Sequence, residues 1–83
     1  EGRARGLARR GQGNAAIRFR LEEEGFAAEV VADALARLDP EADRARALVA
    51  RRGRDPATAR WLAAKGFDPE VVEDAMGGFA PEA

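Results

Sequence analysis

The chain has 83 residues and a formal net charge of −1, with 14 Lys and Arg against 15 Asp and Glu. This length allows one small domain or a fragment of a larger protein, and it excludes two full domains. The sequence contains no Cys, His, Ser or Tyr, so it offers no disulfide, no thiolate or imidazole metal ligand and none of the commonest nucleophiles. We therefore expect no catalytic site, no metal and no cofactor.

The apolar residues are scattered along the chain rather than gathered in one long run. No run approaches the ~18–20 residues that cross a membrane, and no apolar region follows the Arg-rich N-terminal stretch as it would in a secretory signal. The lack of Cys is typical of a reducing compartment. We therefore expect a cytoplasmic protein without a membrane partner.

Helix-forming residues dominate the composition. Ala, Arg, Glu, Leu and Val are abundant, and aromatic residues make up only 6% of the chain. Strong helix formers thus outnumber the β-branched and aromatic residues that favour strands. The predicted fold class is all-α.

Helix starts are marked by Asp or Asn, and helix ends by Gly. Three Asp-Pro dipeptides each place a capping carboxylate ahead of a Pro that is preset for the first helical position, and Asn14 can cap in the same way. The dipeptides are Asp39-Pro40, Asp55-Pro56 and Asp68-Pro69. Glycine, which readily adopts the left-handed conformation of helix ends, supplies stops at 11, 13, 25, 53, 66 and 77–78. These signals predict helices over about residues 3–10, 14–24, 28–38, 40–52, 56–65 and 69–77.

A shift of 41 residues aligns the second half of the sequence with the first, so that Gly25-Phe26 matches Gly66-Phe67. A period near 40 residues with helices and turns in alternation is typical of stacked helical repeats. We predict an elongated stack of tandem three-helix repeats, one over residues 1–38 with a partial first helix and one over 39–79, followed by a tail at 80–83. The residues expected to define the repeat are Leu21, Gly25, Phe26, Leu62, Gly66 and Phe67.

The Gly-Phe turn has a structural explanation that needs no ligand. Gly ends a helix in the left-handed conformation, and the Phe after it folds back as the apolar contact that accompanies such a cap. Phe26 and Phe67 are therefore expected to be largely buried, as are Val31 and Val72. Trp61 fits two interpretations, a core residue or an interface residue.

Charge alternates along the chain in four blocks. Residues 1–20 and 44–65 are strongly basic, and residues 21–43 and 66–83 are strongly acidic. One explanation is pairing between basic and acidic helices inside the stack. The other is a basic ribbon that binds a polyanion or an acidic protein surface, which the run of Arg at 51, 52 and 54 favours. The candidate ribbon consists of Arg44, Arg46, Arg51, Arg52, Arg54, Arg60 and Lys65.

Two segments of the sequence resemble the RecX family of bacterial recombination regulators. Residues 13–26 contain an Ile four residues ahead of a Leu and then a Gly-hydrophobic turn, and a short helix ending in Ala34-Leu35 follows. Residues 60–67, which read Arg-Trp-Leu-Ala-Ala-Lys-Gly-Phe, resemble the closing repeat of that family. The resemblance covers nearly the whole chain.

The resemblance implies the second and third of three helical repeats, with the first repeat absent. It implies a non-enzymatic regulator of homologous recombination, in DNA repair and the SOS response, which binds the RecA recombinase filament and inhibits its extension and activity. The implied partner is the RecA filament, with DNA phosphates as a further contact. No small-molecule substrate, cofactor or metal is implied.

Two other classes of function fit parts of the sequence. A helical module that binds nucleic acid without sequence preference would use the same arginines, and its binding would weaken steeply with salt. A ubiquitin-associated-type interaction module is similar in its Gly-Phe loop at Gly66-Phe67 and in its ending at Ala75-Met76. An enzyme is not expected, because carboxylates alone do not define a catalytic site.

Overall fold

Six α-helices follow one another along the chain in a computed structural model, which describes residues 2–77. They are α1 (Gly2–Arg9), α2 (Asn14–Glu23), α3 (Ala28–Ala36), α4 (Glu41–Arg52), α5 (Pro56–Ala64) and α6 (Pro69–Ala75). This part of the chain contains no strand, and the all-α prediction is confirmed. The helices begin and end within two residues of the predicted bounds. The predicted end of the second unit at 79 and the tail at 80–83 lie outside the described residues.

Two of the four predicted helix caps are confirmed. The Asp55 carboxylate accepts a hydrogen bond from the Thr58 N–H at 2.9 Å, and the Asp68 carboxylate accepts one from the Glu70 N–H at 2.8 Å. In both helices the following Pro stands in the first turn. The dipeptides at 55–56 and 68–69 therefore fix the starts of α5 and α6 by local chemistry alone.

The other two caps are wrong. α4 begins one residue later than predicted, because Pro40 is extended at ψ 142° and is itself the N-cap, and Asp39 makes no capping bond from its side chain. Asn14 is the first residue of α2, and the N-cap is Gly13, for which the sequence pattern predicts a helix stop instead. The Asn14 side chain is engaged elsewhere, since its Oδ1 accepts a hydrogen bond from Arg44.

The turns after α2 and α5 have the same geometry. Gly25 and Gly66 adopt φ values of 97° and 95°, which glycine tolerates best. In each turn the residue after the glycine donates its N–H back to the helix, from Phe26 to the Leu21 carbonyl and from Phe67 to the Leu62 carbonyl, both at 3.1 Å. These are Schellman caps, as the Gly-Phe pattern predicts.

The two halves of the chain have separate hydrophobic cores. The first core draws on α1, α2 and α3, and the second on α4, α5, α6 and the turn between the last two. The first consists of Ala4, Leu7, Ile17, Leu21, Val31, Ala34 and Leu35. The second consists of Ala45, Val49, Leu62, Phe67, Val72, Ala75 and Met76. With two small cores along its length the molecule is elongated, with extents of 43 × 19 × 16 Å.

Burial of the two Phe rings differs, and the prediction for one of them is wrong. Phe67 is 4% exposed, whereas Phe26 is 43% exposed. The reason is the position of the leading helix in each half. The twelve-residue α4 packs mainly against α6 and its Arg44 lies over the Phe67 ring, while the eight-residue α1 packs mainly against α2 and leaves Phe26 open. Val31 and Val72 are buried as predicted.

The halves meet where the N-terminus of α2 docks onto the turn after α5. The Gly13 N–H donates to the Lys65 carbonyl at 2.8 Å, and the Ala15 N–H donates to the Gly66 carbonyl at 3.2 Å. The free N–H groups at the start of one helix thus satisfy the free carbonyls at the end of another. The two helix dipoles meet with opposite partial charges, which is favourable. Side chains of α1 and α4 line common hollows in the folded chain.

Candidate functional site

A groove rich in arginine runs between α1 and α4. It consists of two adjoining hollows of about 270 and 380 Å³ that share Ala8, Arg9 and Arg44. We call it the arginine groove, and its lining residues are Arg5, Ala8, Arg9, Arg37, Leu38, Asp39, Arg44, Ala47, Leu48, Arg51 and Phe67. Five of these residues are cations and one is an anion, so the lining of the groove carries a net positive charge.

Helical periodicity places these side chains along the groove. In α1, Arg5 and Arg9 are four residues apart and therefore lie on one face. In α4, Arg44 and Arg51 are seven residues apart, which is two turns, and also share a face. Phe67 belongs to the second core and also lines the groove. The groove thus has basic edges from two helices and an apolar part between them.

Arg44 is held at the centre of the groove by neutral oxygen atoms. Its guanidinium donates to the Gln12 carbonyl at 2.9 Å, to Asn14 Oδ1 at 3.0 Å and to the Asp39 carbonyl at 3.3 Å. It also lies 5.8 Å from the centroid of the Phe67 ring, within the range of a cation–π contact. Arg44 therefore links the loop before α2, the start of α4 and the turn after α5.

The positive charge of Arg44 is poorly compensated. The residue is half-buried, and its Nε is buried with no hydrogen-bond partner among residues 2–77. Desolvation lowers the pKa of the Arg44 guanidinium, and the carboxylates of Glu41 and Asp39 oppose that shift. A half-buried cation of this kind gains more from an incoming anion than a fully exposed one would, because water screens the interaction less.

The exposed arginines of the groove are mostly unpaired. Arg37 bonds to the Asp33 carboxylate at 3.1 Å, whereas Arg5, Arg9 and Arg51 make no ion pair within residues 2–77. Unpaired guanidinium groups offer forked donors that match carboxylate and phosphate oxygens. The groove is therefore suited to bind anionic groups.

The seven residues of the predicted ribbon lie in several different settings. Only Arg44 and Arg51 line the groove. Arg46 pairs with Asp43 on its own helix, and Arg60 is exposed on α5. The guanidinium of Arg54 lies at the end of α6, where a Cβ added to Gly77 would be 3.2 Å from it.

Arg52 and Lys65 gather on Trp61 instead. The Arg52 Cζ lies 3.8 Å and the Lys65 Nζ 5.5 Å from the centroid of the Trp61 ring. Trp61 is half-buried against the second core, and a Cβ added to Gly11 would lie 3.1 Å from its ring. Trp61 therefore packs on the second core, as one interpretation predicts, and it also contacts the junction between the halves. Its other interpretation, as an interface residue, stays a prediction.

Few of the arginines form ion pairs with carboxylates of the acidic blocks. Within residues 2–77 a single ion pair joins distant helices, from Arg3 on α1 to Glu24 at the end of α2, at 2.5 Å. The other two pairs are local, one between Asp33 of α3 and the C-cap Arg37 and one within α4. Pairing among residues 2–77 thus leaves most of the basic side chains without an ion pair in this range.

Three arginines of the groove do not belong to the ribbon predicted from the sequence, namely Arg5, Arg9 and Arg37. They belong to the first half of the chain, and they line a groove whose other side comes from α4 in the second half. The four-residue spacing of Arg5 and Arg9, next to the buried Ala4 and Leu7, was a local sign of an exposed basic face.

Two features of residues 2–77 bear on other classes of site. No three carboxylates converge in the way that a metal ion would require. No helix in this range is long and apolar enough to cross a membrane.

Comparisons with protein-family models, with curated proteins and with solved structures found no match to this chain.

Proposed function

We propose that the chain is a non-enzymatic regulator that binds the RecA recombinase filament through the arginine groove and limits its extension and activity. The observation that carries the proposal is the groove itself, which has five arginines and one aspartate along its lining. The choice of the RecA filament as the partner comes from the resemblance of residues 13–26 and 60–67 to the RecX family.

The groove suits a nucleoprotein filament because such a surface presents carboxylates of the protein and phosphates of the DNA together. The guanidinium groups of Arg5, Arg9 and Arg51 would bind these oxygens by charge-assisted hydrogen bonds. The half-buried Arg44 would gain the counter-charge that its neutral partners do not supply. Bound in this way, an elongated helical body would obstruct the addition of further recombinase subunits.

The mechanism requires no chemical step and no cofactor. Binding to a cytoplasmic filament would place the protein in the cytoplasm. Affinity would depend on ionic strength, because exposed charges are screened over about 8 Å at physiological salt.

A direct test measures co-sedimentation of the chain with three targets at equal ionic strength. The targets are RecA filaments assembled on single-stranded DNA, RecA without DNA, and single-stranded DNA alone. The proposal predicts that the chain sediments with the filament and slows its extension. Equal binding to bare DNA and to the filament would contradict the proposal.

The second candidate function is binding to nucleic acid alone, which the fit of guanidinium groups to phosphates favours. That function predicts binding to bare DNA that is lost steeply as salt increases. A ubiquitin-associated-type role receives less support, because Phe67 of the second Gly-Phe turn is buried and cannot serve as an exposed anchor.

A further inference from the structure

The two hollows of the arginine groove have different linings. The first hollow, of about 270 Å³, is lined by four arginines, one aspartate and two apolar residues, Ala8 and Leu38. Within the part of the chain that the structure describes, this lining holds no aromatic ring. The second hollow has a more apolar lining, which includes Leu48 and Phe67. The first hollow therefore offers guanidinium groups to a ligand but no ring on which a nucleobase could stack.

The four arginines of the first hollow come from three segments of the fold. Arg5 and Arg9 lie on α1, Arg37 is the C-cap of α3, and Arg44 lies on α4. Like charges four residues apart on a helix repel each other, as Arg5 and Arg9 do. Because the cations at this hollow repel one another, a bound anion would relieve an unfavourable interaction in the free chain.

The lining of the first hollow carries more positive charge than one carboxylate could neutralise. Four guanidinium groups stand against the carboxylate of Asp39, and Asp33 outside the hollow pairs with Arg37 at 3.1 Å, which leaves an excess of about two positive charges. The three hydrogen-bond acceptors of Arg44 are neutral and do not reduce this excess. A carboxylate or a phosphodiester brings one negative charge, whereas a phosphate monoester brings about 1.5–2 at neutral pH. The excess therefore matches a phosphate monoester.

We propose that the first hollow binds a phosphate group that carries two negative charges. The oxygens of such a group accept several hydrogen bonds within a small volume, and guanidinium forks match them. The hollow is smaller than the pockets of about 300–1,000 Å³ that hold a drug-sized ligand, so it suits the phosphate rather than the molecule that carries it. The source is either the end of a nucleic-acid strand or a free phosphate compound.

This proposal deepens the proposed function, and it rests on that function for the role of the groove. The chemistry of the first hollow does not depend on the filament, because the charge excess is a property of the chain itself. The two proposals therefore have separate tests.

Binding is measured on the whole chain by the amide resonances of Leu38 and Asp39, which line the hollow. The probes are inorganic phosphate and malonate, at about pH 7.5 and constant ionic strength. Malonate carries two charges as well, but on two separate carboxylates. We expect saturable shifts with phosphate and at least about fivefold weaker binding of malonate.

A second set of probes distinguishes the sources of the phosphate. It consists of a short single-stranded oligothymidine with a 5′-phosphate and the same strand with a 5′-hydroxyl. Tighter binding of the phosphorylated strand identifies a strand end as the source. Binding of inorganic phosphate without a difference between the strands identifies a free phosphate compound, and either result supports the site.

The protein variant is Arg5→Gln with Arg37→Gln, which removes two arginines that line the first hollow and not the second. It should bind inorganic phosphate at least about tenfold more weakly. The matched control is Arg46→Gln with Arg60→Gln, which changes the charge equally outside the groove and should stay within about twofold of the unchanged chain. Arg5→Gln alone keeps the test valid if the double variant disturbs folding, because Arg5 makes no ion pair within residues 2–77.

Three outcomes would overturn the proposal. One is the absence of saturable shifts with phosphate, as would follow if a carboxylate of the chain itself occupied the hollow. Another is equal binding of phosphate and malonate, and the third is an equal loss of phosphate binding in the variant and its control. Co-sedimentation with RecA filaments on circular single-stranded DNA, which has no strand end, tests the proposed function separately. Filament binding without phosphate binding would overturn only the phosphate site, and phosphate binding without filament binding would overturn only the proposed function.

Discussion

Gly13 lies directly against the backbone of Gly66. The Gly13 N–H donates to the Lys65 carbonyl at 2.8 Å, and a Cβ on Gly13 would lie 2.5 Å from the Gly66 carbonyl carbon and oxygen and from the Phe67 nitrogen. The two halves of the molecule are thus joined by a backbone contact that leaves no room for a methyl group.

Gly13→Ala should destabilise the protein by about 1–3 kcal/mol through overpacking at this junction. Backbone strain plays no part, because the φ of Gly13 is −82°. The control is Gly6→Ala in α1, where an added Cβ meets nothing within 4 Å. That change should stabilise by about 0.5–1 kcal/mol through helix propensity. Urea denaturation measures both, and a Gly13→Ala variant as stable as the unchanged chain would contradict the close contact.

The two Gly-Phe turns should respond differently to loss of the ring. Phe67→Ala should cost roughly 3–5 kcal/mol, because it leaves a cavity in the second core. Phe26→Ala should cost no more than about 1.5 kcal/mol, because that ring is partly exposed. Thermal melting followed by circular dichroism compares them. Equal losses of stability in the two variants would mean that the difference in burial of the two rings does not affect the free energy of unfolding.

Arg44 should contribute to folding, whereas Arg46 should not. Arg44→Ala removes three hydrogen bonds that tie α4 to the loops on either side of the junction, and should cost about 1–3 kcal/mol. Arg46→Ala removes an exposed pair within one helix and should stay within about 0.5 kcal/mol of the unchanged chain. The free energies of unfolding in urea decide this. A neutral Arg44→Ala would show that desolvation of the guanidinium cancels its hydrogen bonds.

The Arg3–Glu24 pair should make stability depend on pH. The hydrogen bond from Arg3 holds the pKa of the Glu24 carboxyl below its usual range. A lowered pKa means that the stabilisation is present above the ordinary Glu pKa of about 4.3 and is lost as the pH falls through the lower folded value. The Tm of Glu24→Gln should therefore lie below that of the unchanged chain at neutral pH. The difference should vanish in acid, and a constant difference across this range would contradict the pairing.

The helices could be predicted from the sequence because their boundaries are set by nearby residues. Asp55 and Asp68 cap the helices that follow them, and Gly25 and Gly66 end the helices before them. Asn14 could not be assigned in this way, because its side chain bonds to Arg44, which is 30 residues away along the chain.

The candidate site could be predicted only in part, because it depends on packing between distant segments. The charge of Arg44 and Arg51 indicates them in the sequence, but Arg5 and Arg9 share a groove with them only because the fold places α1 across that groove from α4. A run of charged residues in a sequence does not show which way each side chain points. The prediction therefore places Arg51 and Arg52 in one ribbon, whereas Arg51 lines the groove and Arg52 lies over the Trp61 ring. Exposure of Phe26 likewise depends on which helix α1 packs against.

The most direct test of the arginine groove as the binding surface compares two triple variants with the same change in charge. One carries Arg5→Gln, Arg9→Gln and Arg51→Gln, all in the groove. The other carries Arg18→Gln, Arg46→Gln and Arg60→Gln, all exposed and outside it. The Kd for RecA filaments on DNA is measured for both at ~150 mM salt, after circular dichroism has shown that both fold. The account predicts that the groove variant binds at least about tenfold more weakly while the other stays within about twofold of the unchanged chain, and equal losses in the two variants would contradict it.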